Sequence, residues 1–505
     1  MSPLEIVVLV GGLVVLSTWI APHARIAVPL VQVMLGVLAG FFPVVRDIHL
    51  PSETVLVLFL PALLFWEAAT TSLREIRRDL RTILPMSTLL VAATAFGVAG
   101  IAVALGLGWP AALVLGAALA PTDATAVGVL TRSLPHRNVT LLRAESLVND
   151  GTALVIYAIT VGVAVSHVAF DGWRIVGLIS LSYLGGAAVG VTVGLIGTVV
   201  LRRLRDAAAH TTAMIFIPFA AFLAAESIDA SGVIAVVVAG VILSQTGPRT
   251  STPLSRQQSS TFWTLTTRVL NGALFVLIGI EAQSAIRAVP AAEIPSLVAV
   301  TALAWIAILV IRFVFQVLTA WMIRLLDRRP SQRTHRMSHR ARVVSTVAGF
   351  RGAVSLAVAI AVPAGLGARS EIIFVAAGVV VLTIVVQGVL LPVVIRWARF
   401  APDTTTAAEL AEARRAATIE VVRSAPELAT AVNVSDEVRD RVVLEYQHRL
   451  QQLGATDGSS DYIGIAEDEE HVRLTLAILE RKRSLMIRLR DQHVISDTTL
   501  RILQT

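Results

Sequence analysis

The sequence predicts an all-α polytopic membrane protein with about thirteen transmembrane helices, followed by a helical tail. Hydrophobic residues make up 55% of its 505 residues, and charged residues only 15%, where soluble proteins carry about 25%. The mean hydropathy is +0.76, and apolar runs recur as far as residue 400. A disordered chain, a disulfide-stapled secreted domain (the chain has no Cys) and an ordinary cytosolic enzyme are therefore excluded.

Thirteen apolar segments have about the length of a transmembrane helix, because a bilayer core of about 30 Å needs about 20 helical residues. We number them in chain order: 4–20, 26–43, 51–70, 82–106, 110–132, 138–166, 172–201, 209–228, 230–246, 258–286, 291–324, 341–365 and 370–396. The least distinct boundary is Ile228–Gly232, where two segments nearly touch, and twelve is the next-best count.

The arginines alternate between the two sides of the membrane that this count implies. Twenty-one lie in connections that follow odd-numbered segments, and four lie in connections that follow even-numbered ones. Because positively charged loops stay in the cytoplasm, we expect the N-terminus outside and the C-terminus inside. The expected location is the plasma (inner) membrane of a prokaryote.

The charge balance divides the chain into a transmembrane domain, 1–400, and a cytoplasmic helical region, 401–505. The first carries a net charge of +12 and the second −5. The high isoelectric point therefore reflects Arg-rich loops and does not indicate a nucleic-acid partner. Amphipathic spacing predicts tail helices at about 406–424, 434–453 and 465–492.

Nine charged residues lie inside apolar segments, where charges are costly unless they pair or face water. They are Arg143, Arg268, Arg312, Arg351, Glu67, Asp123, Glu145, Asp150 and Glu281. A simple scaffold or lipid anchor would not carry so many. We interpret them as signs of an ion or proton pathway.

Segment 5 contains a proline that should break its helix. Pro121 has no N–H, so carbonyls near it are left free at membrane depth, which is tolerated only in a cavity or in protein. The oxygens of Thr122 suit a small cation. Asp123 either takes part in that site or caps the N-terminus of a half-helix.

Segment 6 carries two carboxylates with different expected tasks. Residues four apart on a helix differ by about 40° and residues five apart by about 140°, so Ser146 shares a face with Asp150 while Glu145 does not. Asp150 is the candidate for reversible protonation, because desolvation disfavours a charged carboxylate. Glu145 is expected to stay ionised against a buried Arg.

Segment 12 contains Arg351 between Gly349 and Gly352, a pattern that allows close backbone approach or a second helix break. We predict that Arg351 pairs with Glu145, with snorkelling to the surface as the alternative. Segments 5 and 12 are thus the two interrupted ones. Their positions fit inverted repeats of segments 1–6 and 8–13, which would place a transport site at the midplane.

Segments 3 and 10 add further polar residues. Glu67 either lines the ion path or faces water near the cytoplasmic end of segment 3. Asn271 is expected to satisfy backbone groups near the site, and Glu281 is expected to be solvated near the outer end of segment 10.

These motifs resemble those of the cation:proton antiporter-1 family, the NhaP- and NHE-type sodium/proton exchangers, over essentially all of 1–400. The matching stretches are LPxLLF at 60–65, PTDAT at 121–125, ESLVNDGTA at 145–153, LIGIE at 277–281 and GFRGAVSLAVAI at 349–360. The Glu-Ser-x-x-Asn-Asp sequence with a later Gly-x-Arg-Gly is the most specific part.

The resemblance implies an NhaA/NhaP-like antiporter fold, a homodimer and a set of residue roles. Asp150 resembles the acid that binds proton or cation alternately, and Asn149 resembles its partner. Thr122 and Ser146 resemble additional Na⁺ ligands, whereas Glu145 and Arg351 resemble the structural ion pair. One departure affects Glu67, because Trp66 stands where the family's acid usually follows Phe65.

The predicted function is secondary active exchange of cytoplasmic Na⁺ (or Li⁺) for external protons by alternating access at one buried carboxylate. A K⁺/H⁺ antiporter of the same fold is the alternative, and a cation channel is the alternative from another class. No channel filter sequence and no serine-hydrolase motif with an intramembrane His are present in the sequence. We expect no enzymatic activity and no cofactor, with Na⁺ as a substrate ion.

Overall fold

The computed structural model describes residues 3–24, 26–46, 52–71, 73, 77, 83–123, 136–166, 172–326, 338–363, 365–400, 405–454 and 492. Within these ranges the regular secondary structure is helical, without a strand. The chain divides into two compact units, Met1–Ala401 and Pro402–Thr505.

The first unit consists of helices joined by short connections. The helices are α1 (Pro3–Ala24), α2 (Val28–Ala39), α3 (Pro43–Arg46), α4 (Ser52–Thr70), α5 (Leu89–Ala104), α6 (Trp109–Leu119), α7 (His136–Ser166), α8 (Gly172–Ser180), α9 (Gly186–Arg203), α10 (Ala207–Glu226), α11 (Gly232–Thr250), α12 (Pro253–Ala288), α13 (Ile294–Leu326), α14 (His339–Val347), α15 (Ala353–Ile360), α16 (Arg369–Leu382) and α17 (Gly388–Ala398).

Every predicted segment contains at least one of these helices, and the predicted fold class is confirmed. Eight spans in the described ranges are long and apolar enough to cross a membrane. Two of them join consecutive helices through a π-helical turn: Leu181–Gly185 links α8 to α9, and Thr383–Gln387 links α16 to α17.

Polar caps fix where several helices begin. The Asp206 carboxylate accepts a hydrogen bond from the Ala209 N–H at 2.8 Å, and this cap begins α10. Thr252 caps α12 by accepting from the Ser255 N–H at 3.2 Å. Because Pro253 at the first position of α12 needs no hydrogen-bond partner for its nitrogen, α12 begins five residues before the predicted segment.

Small residues bring two long helices into backbone contact. A Cβ on Gly36 would lie 2.1 Å from the Val276 oxygen, and one on Gly279 would lie 2.3 Å from the Val33 oxygen. Helices α2 and α12 can therefore pack this closely only with glycine at both positions, as is common between transmembrane helices.

The two interrupted segments lie at the centre of the unit. Residues 111–119 of α6 and all of α15 are buried. Helix α6 ends at Leu119, just before Pro121, and segment 12 is broken between Val347 and Ala353, so both predicted breaks are confirmed. The rest of segment 5, 124–132, lies outside the described residues.

The second unit contains α18 (Thr405–Ala431) and α19 (Asp436–Gly454), which pack against each other. The predicted end of the first tail helix at 424 was too early. Helix α18 continues past Pro426 and ends where Asn433 adopts a left-handed conformation with φ of 54°, a common way for a helix to stop. The third predicted tail helix, 465–492, lies outside the described residues except Gln492.

Candidate ion-binding site

The site is built where the two interrupted segments meet. The backbone N–H of Asp123, just after α6, donates to the Phe350 oxygen at 2.9 Å in the break between α14 and α15. Helix ends expose unpaired carbonyls on one side of each break and unpaired N–H groups on the other. Two charged side chains hydrogen-bond to these groups across the contact, one to the carbonyls and one to an N–H.

Arg351 compensates the carbonyl end of α6. Its guanidinium is 2% exposed and donates from Nη1 to the Ala120 oxygen at 2.5 Å and to the Pro121 oxygen. The C-terminal end of a helix carries partial negative charge, so a buried cation is stabilising there. This burial excludes the alternative considered from the sequence, in which Arg351 snorkels to the surface.

Asp123 compensates the N–H end of α15. Its Oδ2 accepts from the Ala353 N–H at 3.0 Å, the role of a capping residue. The close approach requires glycine next to it, because a Cβ on Gly352 would lie 1.8 Å from Asp123 Oδ2. Asp123 is therefore a helix cap, one of the two roles considered for it from the sequence. The half-helix that it caps belongs to segment 12 and not to segment 5.

Glu145 pairs with Arg312, and the prediction that Arg351 is its partner was wrong. Arg312 donates from Nη1 to Glu145 Oε1 at 2.5 Å and from Nη2 to Oε2 at 3.1 Å. Arg312 also donates from Nε to the Ser345 oxygen at 3.1 Å, near the end of α14. Arg351 is unavailable because its guanidinium is committed to the carbonyls after α6.

One feature of the sequence points to Arg312 as a buried charge. It lies in the middle of segment 11, twelve residues from Arg324 in the Arg-rich connection, too deep to reach the surface. No motif links it to Glu145, because the two residues meet only through the packing of α7 against α13 and α14.

Thr122, Ser146 and Asn149 form one hydrogen-bonded cluster beside the break. The Ser146 hydroxyl donates to the Thr122 carbonyl at 2.8 Å, and Asn149 Nδ2 donates to the Thr122 hydroxyl at 2.5 Å. The structure thus brings together three residues predicted for the site. Asn149 also accepts from the Thr122 N–H at 3.5 Å. The residue that precedes Asp150 in the sequence therefore holds Thr122 in place.

Asp150 faces a cavity of about 500 Å³ between α4, α7, α12 and α15. The residue is 2% exposed, and its Oδ1 is buried without a hydrogen-bond partner in the described part of the chain. The charges that act on it belong to Glu67, Asp123 and Arg351. A buried carboxylate oxygen without a donor is costly unless a proton or a cation occupies it for part of the time.

Glu67 lines the same cavity as Asp150 despite the shifted motif. Its Oε1 is also buried without a hydrogen-bond partner among the described residues. Trp66 also lines the cavity and stacks on Trp263, with ring centroids 5.9 Å apart and planes 8° from parallel. The extra residue therefore does not remove Glu67 from the cavity, and its role in binding stays a prediction.

Two further arginines, Arg143 and Arg268, reach the cavity from α7 and α12, and both are exposed. Asn271 lines it one turn after Arg268. The sequence shows both arginines as intramembrane charges but indicates no role for either of them, because neither belongs to a recognised motif.

Glu281 lies away from this cavity and is paired, so the expectation that it is solvated was wrong. Arg369 Nη1 lies 3.6 Å from Glu281 Oε2, and the Glu281 side chain is 12% exposed. Arg369 also donates to the oxygens of Val362 at 3.0 Å and Ile360 at 3.2 Å, at the end of α15. The carbonyl end of α15 is thereby compensated as well.

A bundle of apolar helices around two broken helices that meet at their breaks, with a buried carboxylate that lines a cavity beside them, defines a membrane transporter for a small cation or proton. The chain matches the transmembrane sodium/hydrogen exchanger family over residues 10–397, and it belongs to that family. The resemblance stated from the sequence is confirmed.

Known relatives agree with this assignment. An uncharacterized Na⁺/H⁺ exchanger of Mycobacterium tuberculosis is 39% identical over 99% of this chain and 94% of its own length. A sodium, potassium, lithium and rubidium/H⁺ antiporter of Bacillus subtilis is 31% identical over 73% of this chain and 58% of its own. The solved structure of the sodium proton antiporter MjNhaP1 from Methanocaldococcus jannaschii shares the fold, with a TM-score of 0.61 at 17% identity, covering 78% of this chain and 99% of that one.

Proposed function

We propose that this protein exchanges cytoplasmic Na⁺ or Li⁺ for external protons by alternating access at a single site centred on Asp150. One observation carries the proposal: Asp150 Oδ1 is buried, faces a cavity and has no hydrogen-bond partner among the described residues. A proton or a cation can each satisfy this oxygen, but not both together. Competition for one carboxylate couples the two fluxes without ATP.

The proposed Na⁺ ligands are the Asp150 carboxylate and oxygens of Thr122 and Ser146. Hard cations prefer carboxylate, carbonyl and hydroxyl oxygens. The Thr122 carbonyl accepts one hydrogen bond from Ser146 and keeps a second lone pair. Asn149 orients Thr122 and does not bind the ion itself in this arrangement.

Glu67 and Asp123 have different proposed contributions. Glu67 supplies a second carboxylate that attracts a cation into the cavity. Asp123 acts mainly through position, because its Oδ2 caps α15. Arg351 and Arg312 keep the half-helices and Glu145 compensated while the ion site changes charge.

The cavity is proposed to open to the cytoplasm. Arg143 and Arg268 lie in the halves of α7 and α12 that follow Arg137 and Arg256, on the Arg-rich side. Positively charged connections stay in the cytoplasm, so this arrangement corresponds to an inward-open state. The same rule supports an external N-terminus and a cytoplasmic tail. We further propose that the protein is a homodimer in the plasma membrane of a prokaryote.

Potassium is the second candidate substrate. The Bacillus subtilis relative is named for sodium, potassium, lithium and rubidium, and carboxylate and hydroxyl oxygens bind Na⁺ and K⁺ alike. The transported ion therefore has to be measured directly.

The test is proton flux in proteoliposomes that hold a pH gradient, with Na⁺, Li⁺ and K⁺ added separately. We expect the wild type to collapse the gradient with at least Na⁺, and Asp150→Asn to be inactive but folded. Glu293→Gln, an exposed residue outside the cavity, is the matched control and should transport normally. Cation-driven proton flux that persists in Asp150→Asn would refute the site, and unsaturable flux without proton coupling would indicate a channel.

A further inference from the structure

Two exposed arginines belong to the wall of the cavity that is proposed to take up cations. Arg143 and Arg268 line the same cavity as Asp150 and Glu67. Neither guanidinium makes a hydrogen bond or an ion pair within the described ranges, in contrast to Arg312 and Arg351. The positive charge of Arg143 acts on Glu67 inside the cavity.

The cavity is lined by oxygen atoms of the kind that divalent cations bind. Asp150 and Glu67 each present a buried carboxylate oxygen without a donor, and the hydroxyl of Thr70 lines the same space. Two carboxylates with additional oxygens are a common arrangement for Ca²⁺ or Mg²⁺. A divalent ion bound there would occupy the site without being exchanged as a monovalent one is.

The position of Arg143 relative to Asp150 follows from helix geometry. The two residues are seven apart on α7, so they share one face about 10 Å apart along the axis. Arg268 lines the cavity from another helix, α12, one turn before Asn271. An ion bound at Asp150 therefore shares one cavity with both charges.

We infer that Arg143 and Arg268 determine selectivity for monovalent over divalent cations at this site. The inference rests on the proposed antiport function and assigns it two specificity-determining residues. A unit charge about 10 Å away in a water-like medium lowers the occupancy of a monovalent cation about twofold and of a divalent cation about fourfold. Because the repulsion scales with the charge of the ion, two arginines together discriminate about fourfold against divalents, and more where the cavity walls exclude water.

The experiment measures Na⁺-driven proton flux at low ionic strength in zwitterionic liposomes, with Ca²⁺ on both sides as the inhibitor. Low salt matters because screening weakens such interactions. For the double variant Arg143→Gln/Arg268→Gln we expect the apparent KM for Na⁺ to fall about fourfold and the inhibition constant for Ca²⁺ to fall about sixteenfold. Arg143→Lys/Arg268→Lys keeps both charges and should behave as the wild type.

Arg256→Gln is the matched control, because Arg256 is exposed on α12 outside the cavity. Equal shifts for Na⁺ and Ca²⁺ in the glutamine double variant, or the same change in the lysine double variant or in Arg256→Gln, would overturn the inference. A wild type that shows no cation-driven proton flux would instead refute the proposed function. Thermal unfolding of the purified variants, which should match the wild type, separates these effects from misfolding.

Discussion

The Glu145–Arg312 pair places two opposite charges where three helices meet, and it is shielded from water. Arg312 is 2% exposed and satisfies both Glu145 oxygens as well as the Ser345 carbonyl. Breaking a buried pair from one side leaves an uncompensated charge, which costs far more than removing both partners. The stability of variants of this pair therefore tests the structural contacts independently of transport.

We predict strong coupling between these two residues. Arg312→Gln and Glu145→Gln should each lower the free energy of unfolding by about 3–5 kcal/mol, and the double variant should lose much less than the sum. Thermal unfolding of the four proteins in detergent measures this cycle. Additive losses would contradict the pairing, as would an equally strong coupling of Glu145→Gln with Arg351→Gln.

Gly352 is the residue on which the contact between the two breaks depends most directly. A Cβ there would lie 1.8 Å from Asp123 Oδ2, whereas Gly365 has open space around it. We predict that Gly352→Ala displaces the Asp123 cap, lowers the melting temperature and abolishes exchange. Gly365→Ala, the matched control, should keep both. Normal transport by Gly352→Ala would show that the two segments do not approach this closely.

At the scale of helices, each end of α15 is compensated by a charge from another element. Asp123 accepts from the first N–H, and Arg369 donates to the oxygens of Ile360 and Val362. A helix of eight residues is too short to be stable by itself. Its stability inside the bundle must come from packing and from these caps.

Arg369 should therefore matter more than its ion-pair partner. We predict that Arg369→Gln costs about 1–3 kcal/mol, because buried carbonyls lose their donors. Glu281→Gln should cost less than about 1 kcal/mol, because the pair is long at 3.6 Å and partly exposed. Unfolding measured at low and high salt compares the two, and a larger loss in Glu281→Gln would contradict this ranking.

The sequence predicts the breaks in segments 5 and 12 because their causes are local. Pro121 cannot continue a helix, and Gly349 and Gly352 flank a charge. It does not predict the partner of Glu145, because that depends on how segments 6, 11 and 12 pack. Glu67 is a second example. Because Trp66 follows Phe65, the acid stands one residue later than in the family motif, which turns it by about 100° around the helix. The packing of α4 nevertheless places Glu67 in the cavity.

At the scale of the whole molecule, the two broken helices form a compensated frame beside two carboxylates with oxygens that are unpartnered within the described ranges, Asp150 and Glu67. Three of the charged residues compensate helix ends: Arg351, Asp123 and Arg369. Arg312 compensates the charge of Glu145. Asp150 keeps a buried oxygen without a donor among the described residues. The frame can hold its shape while the charge at Asp150 changes, which exchange at a single site requires.

Competition of Na⁺ and proton for Asp150 is tested most directly by measuring proton release when Na⁺ binds to the purified protein in weakly buffered detergent solution. If cation and proton compete for Asp150, Na⁺ acidifies the solution with the wild type, and its apparent affinity falls as the pH is lowered. Asp150→Asn should release no proton, and Glu293→Gln should release as much as the wild type. Saturable Na⁺ binding without proton release, or equal release from Asp150→Asn, would contradict a single shared site.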